Sequence, residues 1–543
     1  MQALVRWQME QHFVAERIFF AIVMAVAGIL LFADLDDQYL WQDEAETAVL
    51  SRRLLSCGLP LANDGRNLVQ QADAPFVEYT ADYIWIYHSW LQYGLTALFF
   101  ALLGPTTTAA RLPFVTVGLL TIVLFYRLST CWLENARIPR LAMLLLVFCI
   151  PFILHMRQCR YYALAALFTL TTLDAYLLLP SGKAYAMPYF VLSAMLLYHS
   201  HYGAFFPTMG ALTLGTLFSS AHCRERRLFV PALVLVILGV LPWAIFMRVW
   251  ARGAPFTFDR FTAHLTQYFV YVTGWLFPLL LLLLLAGWYA RSRTAEGPLD
   301  AREAPLLALF SLVIVANIIL LAAFAVYDWV YFRYIVHLVP LLRLPLAITV
   351  DKIYGWVRPL GIVVLVMLTT TNVLHLVPYG LPSFSELPLR NVFPTSVAWW
   401  NAEEVWHKTG QFRSELWMYA LELIHPYEGP IEGLVAYLQT HAKPGDTVLV
   451  NNEDLPLMFY TDLKIIGGLS AHDVTGIVEP DWVIDRQYGH YRDTLAKIIA
   501  AGHYERIELP YPDIHWENRP QPGSHHYLTA RGIANVTLYR RIE

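Results

Sequence analysis

Charge is scarce along this chain. Lys, Arg, Asp and Glu make up 15% of its 543 residues, against 57% hydrophobic, whereas soluble domains carry roughly 25% charged and 45–50% apolar residues. The shortage excludes an ordinary soluble enzyme and points to a chain that is mostly in lipid. A net charge of −4 leaves no electrostatic footprint for nucleic acid. Cysteine is sparse too. Cys57, Cys131, Cys149, Cys159 and Cys223 are scattered without a CxxC pair, so neither a zinc site nor a disulfide framework is expected. Runs of the GxxxxGKS/T or GxGxxG type are missing, which removes the usual nucleotide-phosphate cradles. The start lacks the marks of a cleavable signal: MQALVRWQMEQHFVAER is long and of mixed charge, and ADLDD offers no small-residue cleavage site. The apolar run 18–33 reads as an uncleaved first span.

What is abundant is hydrophobic length. A spanning helix needs about 20 mostly apolar residues. Segments 18–34, 112–131, 140–156, 160–179, 185–200, 203–220, 228–250, 269–290, 304–326, 332–350 and 356–377 qualify, which makes a polytopic α-helical membrane protein of about 11 spans. A shorter segment, 89–103, is read as a helix lying at the interface. With it outside the count, the basic loops (Arg127–Arg140, Lys183, Cys223–Arg227, Arg291–Glu303, Lys352–Arg358) all fall on one side. Basic short loops mark the cytoplasmic side, so the N-terminus is expected in the cytoplasm and the C-terminus outside. The expected organisation is a transmembrane domain over 1–378, with an acidic outer loop at 34–88, and a soluble extracytoplasmic α/β domain over 379–543. In that tail 430–441 and 491–501 read as helices, KPGD as a turn, and 447–450, 481–484, 504–509 and 536–541 as strands.

The outer loop holds the densest chemistry. In LWQDEAETAVLSRRLLSCGLP (40–60) three acids stand within four residues: Asp43, Glu44 and Glu46. Asp43 followed three residues later by Glu46 has the form of a capping box, acids in a first turn complement the helix dipole, and Gly58-Leu59-Pro60 ends the helix. The alternative is catalytic. A carboxylate at the membrane surface can take the proton of an acceptor hydroxyl while the other substrate stays anchored in lipid.

The residues WQDEAETAVLSRRLLSCGLPLANDG (41–65) resemble the first-loop motif of GT-C-type glycosyltransferases that use lipid-linked sugars, in particular the group spanning the protein O-mannosyltransferases and the lipid A aminoarabinose transferase. HSWLQYGLTALFFALLGPTTTAARLP (88–113), PFILHMRQCRYYAL (151–164) and YFRYIVHLVPLLRLPLA (331–347) are similar to later landmarks of the same group, in order. The resemblance implies that Asp43 is the catalytic base, with Glu44 its acidic neighbour. It places His88 where the group has a basic residue on the lipid phosphate, a departure from the lysine of the aminoarabinose transferase. It implies Arg333 as the other phosphate clamp, with Tyr334 or Tyr331 adding a hydroxyl. Some members carry a second acid in the loop matching 155–162; here Arg157 and Arg160 stand there instead. His199 and His201 are a possible metal pair. His525 and His526, near Trp516 and Arg519, read as a solvated loop or an acceptor lining.

The implied function is an inverting glycosyltransferase of a bacterial inner membrane, moving a sugar from a polyprenyl-phosphate donor to a glycan, glycolipid or protein hydroxyl on the outer face. No cofactor is required by that scheme, although related oligosaccharide-transferring enzymes use a divalent metal. Two rivals share the outline: a flippase for lipid-linked glycans, for which Asp174 is the one intramembrane acid on offer, and an oligosaccharide ligase.

Overall fold

The computed structural model describes residues 2–71, 77–218, 223–252, 255–292, 303–325, 329–376 and 412–542, apart from 470, 472–473, 475–478 and 531–532. The expected boundary at 378–379 and most of the basic loop 291–303 lie outside the described residues. The chain runs as α1 (Gln2–Phe32), α2 (Gln42–Cys57), α3 (Leu91–Leu103), α4 (Thr107–Trp132), α5 (Arg137–Val147), α6 (Ile150–Arg157), α7 (Tyr162–Leu178), α8 (Ala186–Ser200), α9 (Tyr202–Phe218), α10 (Cys223–Phe246), α11 (Phe258–Tyr271), α12 (Leu279–Ser292), α13 (Glu303–Phe324), α14 (Val339–Trp356) and α15 (Arg358–Thr370). A short α16 (Val373–Leu376) follows, then α17 (Glu415–Glu422), α18 (Pro430–His441), α19 (Asp454–Tyr460) and α20 (Arg492–Ala501) among five strands.

Among the described residues five helices are long and apolar enough to cross a membrane, and seven segments qualify if each of two bent pairs is one span. This is an integral membrane protein. The other four expected segments form helices of 15 (α8), 17 (α9), 18 (α14) and 13 (α15) residues. Two expected spans are not continuous. Between α5 and α6 the axis bends by 63°, and between α11 and α12 by 95°. Both breaks sit next to proline, at Cys149-Ile150-Pro151 and Phe277-Pro278. A residue preceding proline is pushed out of the helical region, and Phe277 is extended at φ −142°, ψ 103°. The preceding turn, Val272–Leu276, is a π-helix. Segment 89–103 forms α3, whose 13 residues reach only about 20 Å, too short for a hydrocarbon core of roughly 30 Å.

The acidic loop is an ordered structure rather than a tether. Arg53 of α2 folds back to Asp64 at 2.8 Å and to the carbonyls of Leu61, Ala62 and Asn67. Isolated bridges join Leu61 to Ile84 and Tyr79 to Trp85. Gly58 ends α2 in the left-handed conformation, at φ 77°, where a residue without Cβ is least strained.

The C-terminal region is built on a five-stranded sheet. Its strands are β1 (Thr447–Val450), β2 (Lys464–Gly467), β3 (Trp482–Ile484), β4 (Tyr504–Pro512) and β5 (Asn535–Arg541), in the order β2-β1-β3-β5-β4. The first three run parallel, and β5 joins antiparallel to β3 and β4. Four of the strands, helices α18 and α20, and the KPGD turn stand where the sequence places them; β2 is additional. The region packs directly on the acidic loop. Tyr39 stacks on Tyr460 at 4.2 Å and Phe100 on Phe459 at 6.0 Å. Arg52 donates to the carbonyls of Met458 and Phe459. The apolar core is therefore continuous from the helix bundle into the sheet.

Candidate active site

Three acids of α2 take three different partners. Trp41, not Asp43, occupies the N-cap position, and no side chain caps the helix. The expected capping box is therefore absent, because tertiary partners claim both of its acids. Glu46 is fully buried and accepts from the Tyr93 hydroxyl at 2.6 Å and from Arg160 at 2.9 Å. Burial pushes its pKa up, against the opposing pull of Arg160. Glu44 is equally buried. It receives Arg111 of α4 through both oxygens, at 2.9 and 2.8 Å, the Cys159 backbone N–H at 2.8 Å and the Asn518 amide at 3.3 Å. Arg111 in turn holds the carbonyls of Leu35, Gln38 and Tyr39. Glu44 thus has its lone pairs filled, which leaves it no capacity to take a proton from a substrate. Among the three, Asp43 points elsewhere. Its carboxylate is ion-paired with Arg333 across the mouth of the bundle.

Arg333 lies on a short 3₁₀ turn, Phe332–Tyr334, just before α14. Its guanidinium stands over the rings of Tyr331 at 4.5 Å, Tyr334 at 5.5 Å and Trp41 at 5.9 Å. A second guanidinium reaches the same rings from the C-terminal region. Arg519 is 4.6 Å from the centre of Tyr331, 5.7 Å from Trp41 and 5.7 Å from Trp516. The hydroxyl of Tyr162, at the start of α7, is fully buried and has no hydrogen-bond partner among the described residues. It lies within electrostatic range of both Arg333 and Asp43. One carboxylate, two guanidiniums and an orphan hydroxyl therefore meet inside an aromatic wall.

The remaining expected residues divide. Arg160 is in the site's floor, bonded to Glu46, to Thr47 and to Nε2 of His88 at 2.8 Å. Because His88 accepts there, and because burial, Arg160 and Arg252 push its pKa well below the usual histidine value, its ring carries no positive charge. The expectation of His88 as a cationic phosphate clamp is corrected to a neutral, half-buried acceptor. Arg157 is structural: it donates to the carbonyls of Leu30, Leu31, Ala33 and Asp34 and so closes the C-terminal end of α1. His201 stacks flat on Tyr161 at 4.3 Å, and burial pushes its pKa down to about 3. His199 turns the other way, against Trp243 at 5.5 Å. The two histidines do not converge, and among the described residues no group of three or more His, Cys, Asp or Glu side chains could hold a metal ion. His525 is not solvated; its side chain is buried on Glu422 at 2.9 Å.

Sequence reasoning singled out Asp43, Arg333 and the two tyrosines but gave Trp41, Tyr162 and Arg519 no role in the site. Trp41 and Tyr162 lie inside stretches already flagged, and Arg519 had only its neighbours Trp516 and His525 to draw attention to it.

No family model and no curated protein matches this chain. Solved structures do. ArnT from Cupriavidus metallidurans in the apo state aligns with a TM-score of 0.56 at 14% identity, over 97% of this chain and 98% of that one. The same protein bound to undecaprenyl phosphate gives 0.54 at 12% identity, over 96% and 97%. The mycobacterial arabinofuranosyltransferase AftD gives 0.50 at 14% identity, over 97% of this chain and 40% of that one. The chain has the GT-C fold. At these identities the likeness is one of architecture, and it extends through the GT-C helix bundle into the C-terminal sheet.

Proposed function

We propose that this protein is an inverting glycosyltransferase that moves a sugar from a polyprenyl-phosphate donor to a hydroxyl acceptor at the outer face of a bacterial inner membrane. The observation that carries the reading is the facing pair of a buried Asp43 and a half-buried Arg333 at the mouth of a GT-C helix bundle, walled by Trp41, Tyr331 and Tyr334. A base and a cation set together suit a displacement that forms one anion and releases one proton. The acceptor oxygen bonds to the anomeric carbon as the carbon–oxygen bond to the phosphate breaks. The electron pair leaves with the phosphate, where Arg333 stabilises it electrostatically. The acceptor proton passes to Asp43. A single displacement inverts the anomeric centre.

The ion pair adds a coupling between the two substrates. The carboxylate of Asp43 is paired with Arg333. An arriving phosphate competes for that guanidinium and so releases a carboxylate oxygen for the acceptor hydroxyl. The basic loops support an N-terminus in the cytoplasm and a site outside. Support for the donor class comes from the fold shared with ArnT, which was captured with undecaprenyl phosphate. The test is sugar transfer from a polyprenyl-phosphate sugar by purified protein in lipid, with Asp43→Asn as the decisive variant. A folded Asn variant that keeps full activity removes Asp43 as the base.

A further inference from the structure

We propose that Arg519, carried by the C-terminal region, is a second phosphate-binding residue, so that the leaving phosphate is held by two guanidiniums, one from the helix bundle and one from the C-terminal region. The inference rests on the donor class proposed above. Arg519 is only 4% exposed, and with Arg333 it lies within 4.6 Å of the centre of one ring, Tyr331. Among the described residues this space also holds the carboxylate of Asp43, ion-paired with Arg333. An anion seated beside Tyr331 would accept charge-assisted hydrogen bonds from both guanidiniums.

The loop that delivers Arg519 is built to fix it. Trp516 and Asn518 both adopt positive φ, 54° each, a conformation that costs about 1–3 kcal/mol per residue and persists only where the surroundings enforce it. The enforcing contacts lie on both sides of Arg519. Asn518 donates to Glu44 and to the carbonyl of Tyr39, on the segment leading to Asp43. Gln521 accepts from the Phe332 backbone N–H, on the turn that carries Arg333, and donates to the Tyr271 hydroxyl at 2.6 Å. Arg519 is thereby held in register with the base and with the first cation together.

The charge balance gives the second guanidinium a specific task. A polyprenyl-phosphate sugar is a phosphodiester with one negative charge, and the released polyprenyl phosphate is a monoester approaching two. Arg333 offers one guanidinium to that phosphate and Arg519 a second. The charge that appears during bond breaking is then met by preorganised donors rather than by water. Interactions that strengthen as charge develops raise kcat more than they lower KM.

The test compares wild type with Arg519→Met and Arg519→Lys, using undecaprenyl phosphate as inhibitor and binding probe. Loss of a charge-assisted hydrogen bond should weaken undecaprenyl phosphate roughly tenfold to a hundredfold in the Met variant and lower kcat by a similar factor. KM for the acceptor and the melting temperature should stay near wild type, and Lys should restore part of the loss. If the Met variant does not fold, the Lys variant decides, because a point charge cannot reproduce the planar fork and its phosphate affinity should still fall several-fold. Wild-type phosphate affinity and kcat in a folded variant overturn the role of Arg519 and leave the donor reading standing. Wild-type protein that binds no undecaprenyl phosphate removes the donor reading and this inference with it.

Discussion

Glu44 and Asp43 are neighbours on one helix, and each is paired with an arginine, yet the two pairs behave as opposites. Around Glu44 every group is spoken for: Arg111 by two carboxylate oxygens and three carbonyls, Glu44 by Arg111, a backbone N–H and an amide. Around Asp43 the guanidinium of Arg333 leans on rings, a second guanidinium stands over Tyr331, and the Tyr162 hydroxyl has no partner among the described residues. The same two functional groups make a rivet in one place and a reactive opening in the other. What separates them is whether the surroundings fill the remaining hydrogen-bonding capacity.

That contrast breaks first at Asp43. Asp43→Asn keeps the shape and removes the base, so transfer should fall by about 10²–10⁴, while the melting temperature changes less than in any Glu44 variant. A rate near wild type, or a loss of fold to match the loss of rate, would erase the distinction. Glu44→Gln should do the reverse. It leaves the buried Arg111 charge without its counterion, a change that costs about 3–5 kcal/mol. The expected result is an early-melting protein in detergent, and a folded fraction that still transfers sugar. Equal stability in the two variants would show that Glu44 is not the rivet.

Hydrophobic length made the helix bundle legible, because each spanning segment must bring its own twenty or so apolar residues. The bends were less legible. Pro151 and Pro278 mark them, but proline is tolerated inside α4, α9, α10 and α14, so the residue alone does not say where a helix breaks. Strand β2 was missed because KIIG holds only two β-branched residues, Ile465 and Ile466, between Lys464 and Gly467, whereas TVLV holds three. In the site, Asp43 and Arg333 could be named from ordered landmarks. The capping box could not be excluded locally, since Tyr93 and Arg160 reach Glu46 only in the folded chain. The same holds for His88, whose charge is decided by burial and by Arg160, and for Arg519, which no local pattern connects with Asp43.

The joint between the acidic loop and the C-terminal region offers the mildest perturbation and sharpens the comparison from outside the site. Glu432 accepts from the Tyr39 backbone N–H at 2.8 Å, and burial pushes its pKa up to about 7. Glu517, whose other oxygen accepts from Ile431 at 2.8 Å, is raised as well, by burial and then by Glu432. A carboxyl raised in the folded state holds its proton there after the unfolded chain has released it. Between the ordinary glutamate value and about 7 the folded protein therefore binds more protons than the unfolded one, and stability falls as pH rises through that window. Melting temperature should decline from pH 5 to pH 7.5 and then level off. Glu432→Gln should flatten the decline and make the protein more stable than wild type at pH 8, by about 2 kcal/mol. Because Tyr39 lies just before the Asp43 segment, the variant should keep its transfer rate at pH 5, where the wild-type carboxyl is protonated too. A melting temperature independent of pH in wild type would mean that this carboxyl is ionised throughout, and that the C-terminal region is seated on the acidic loop by some contact other than a protonated Glu432.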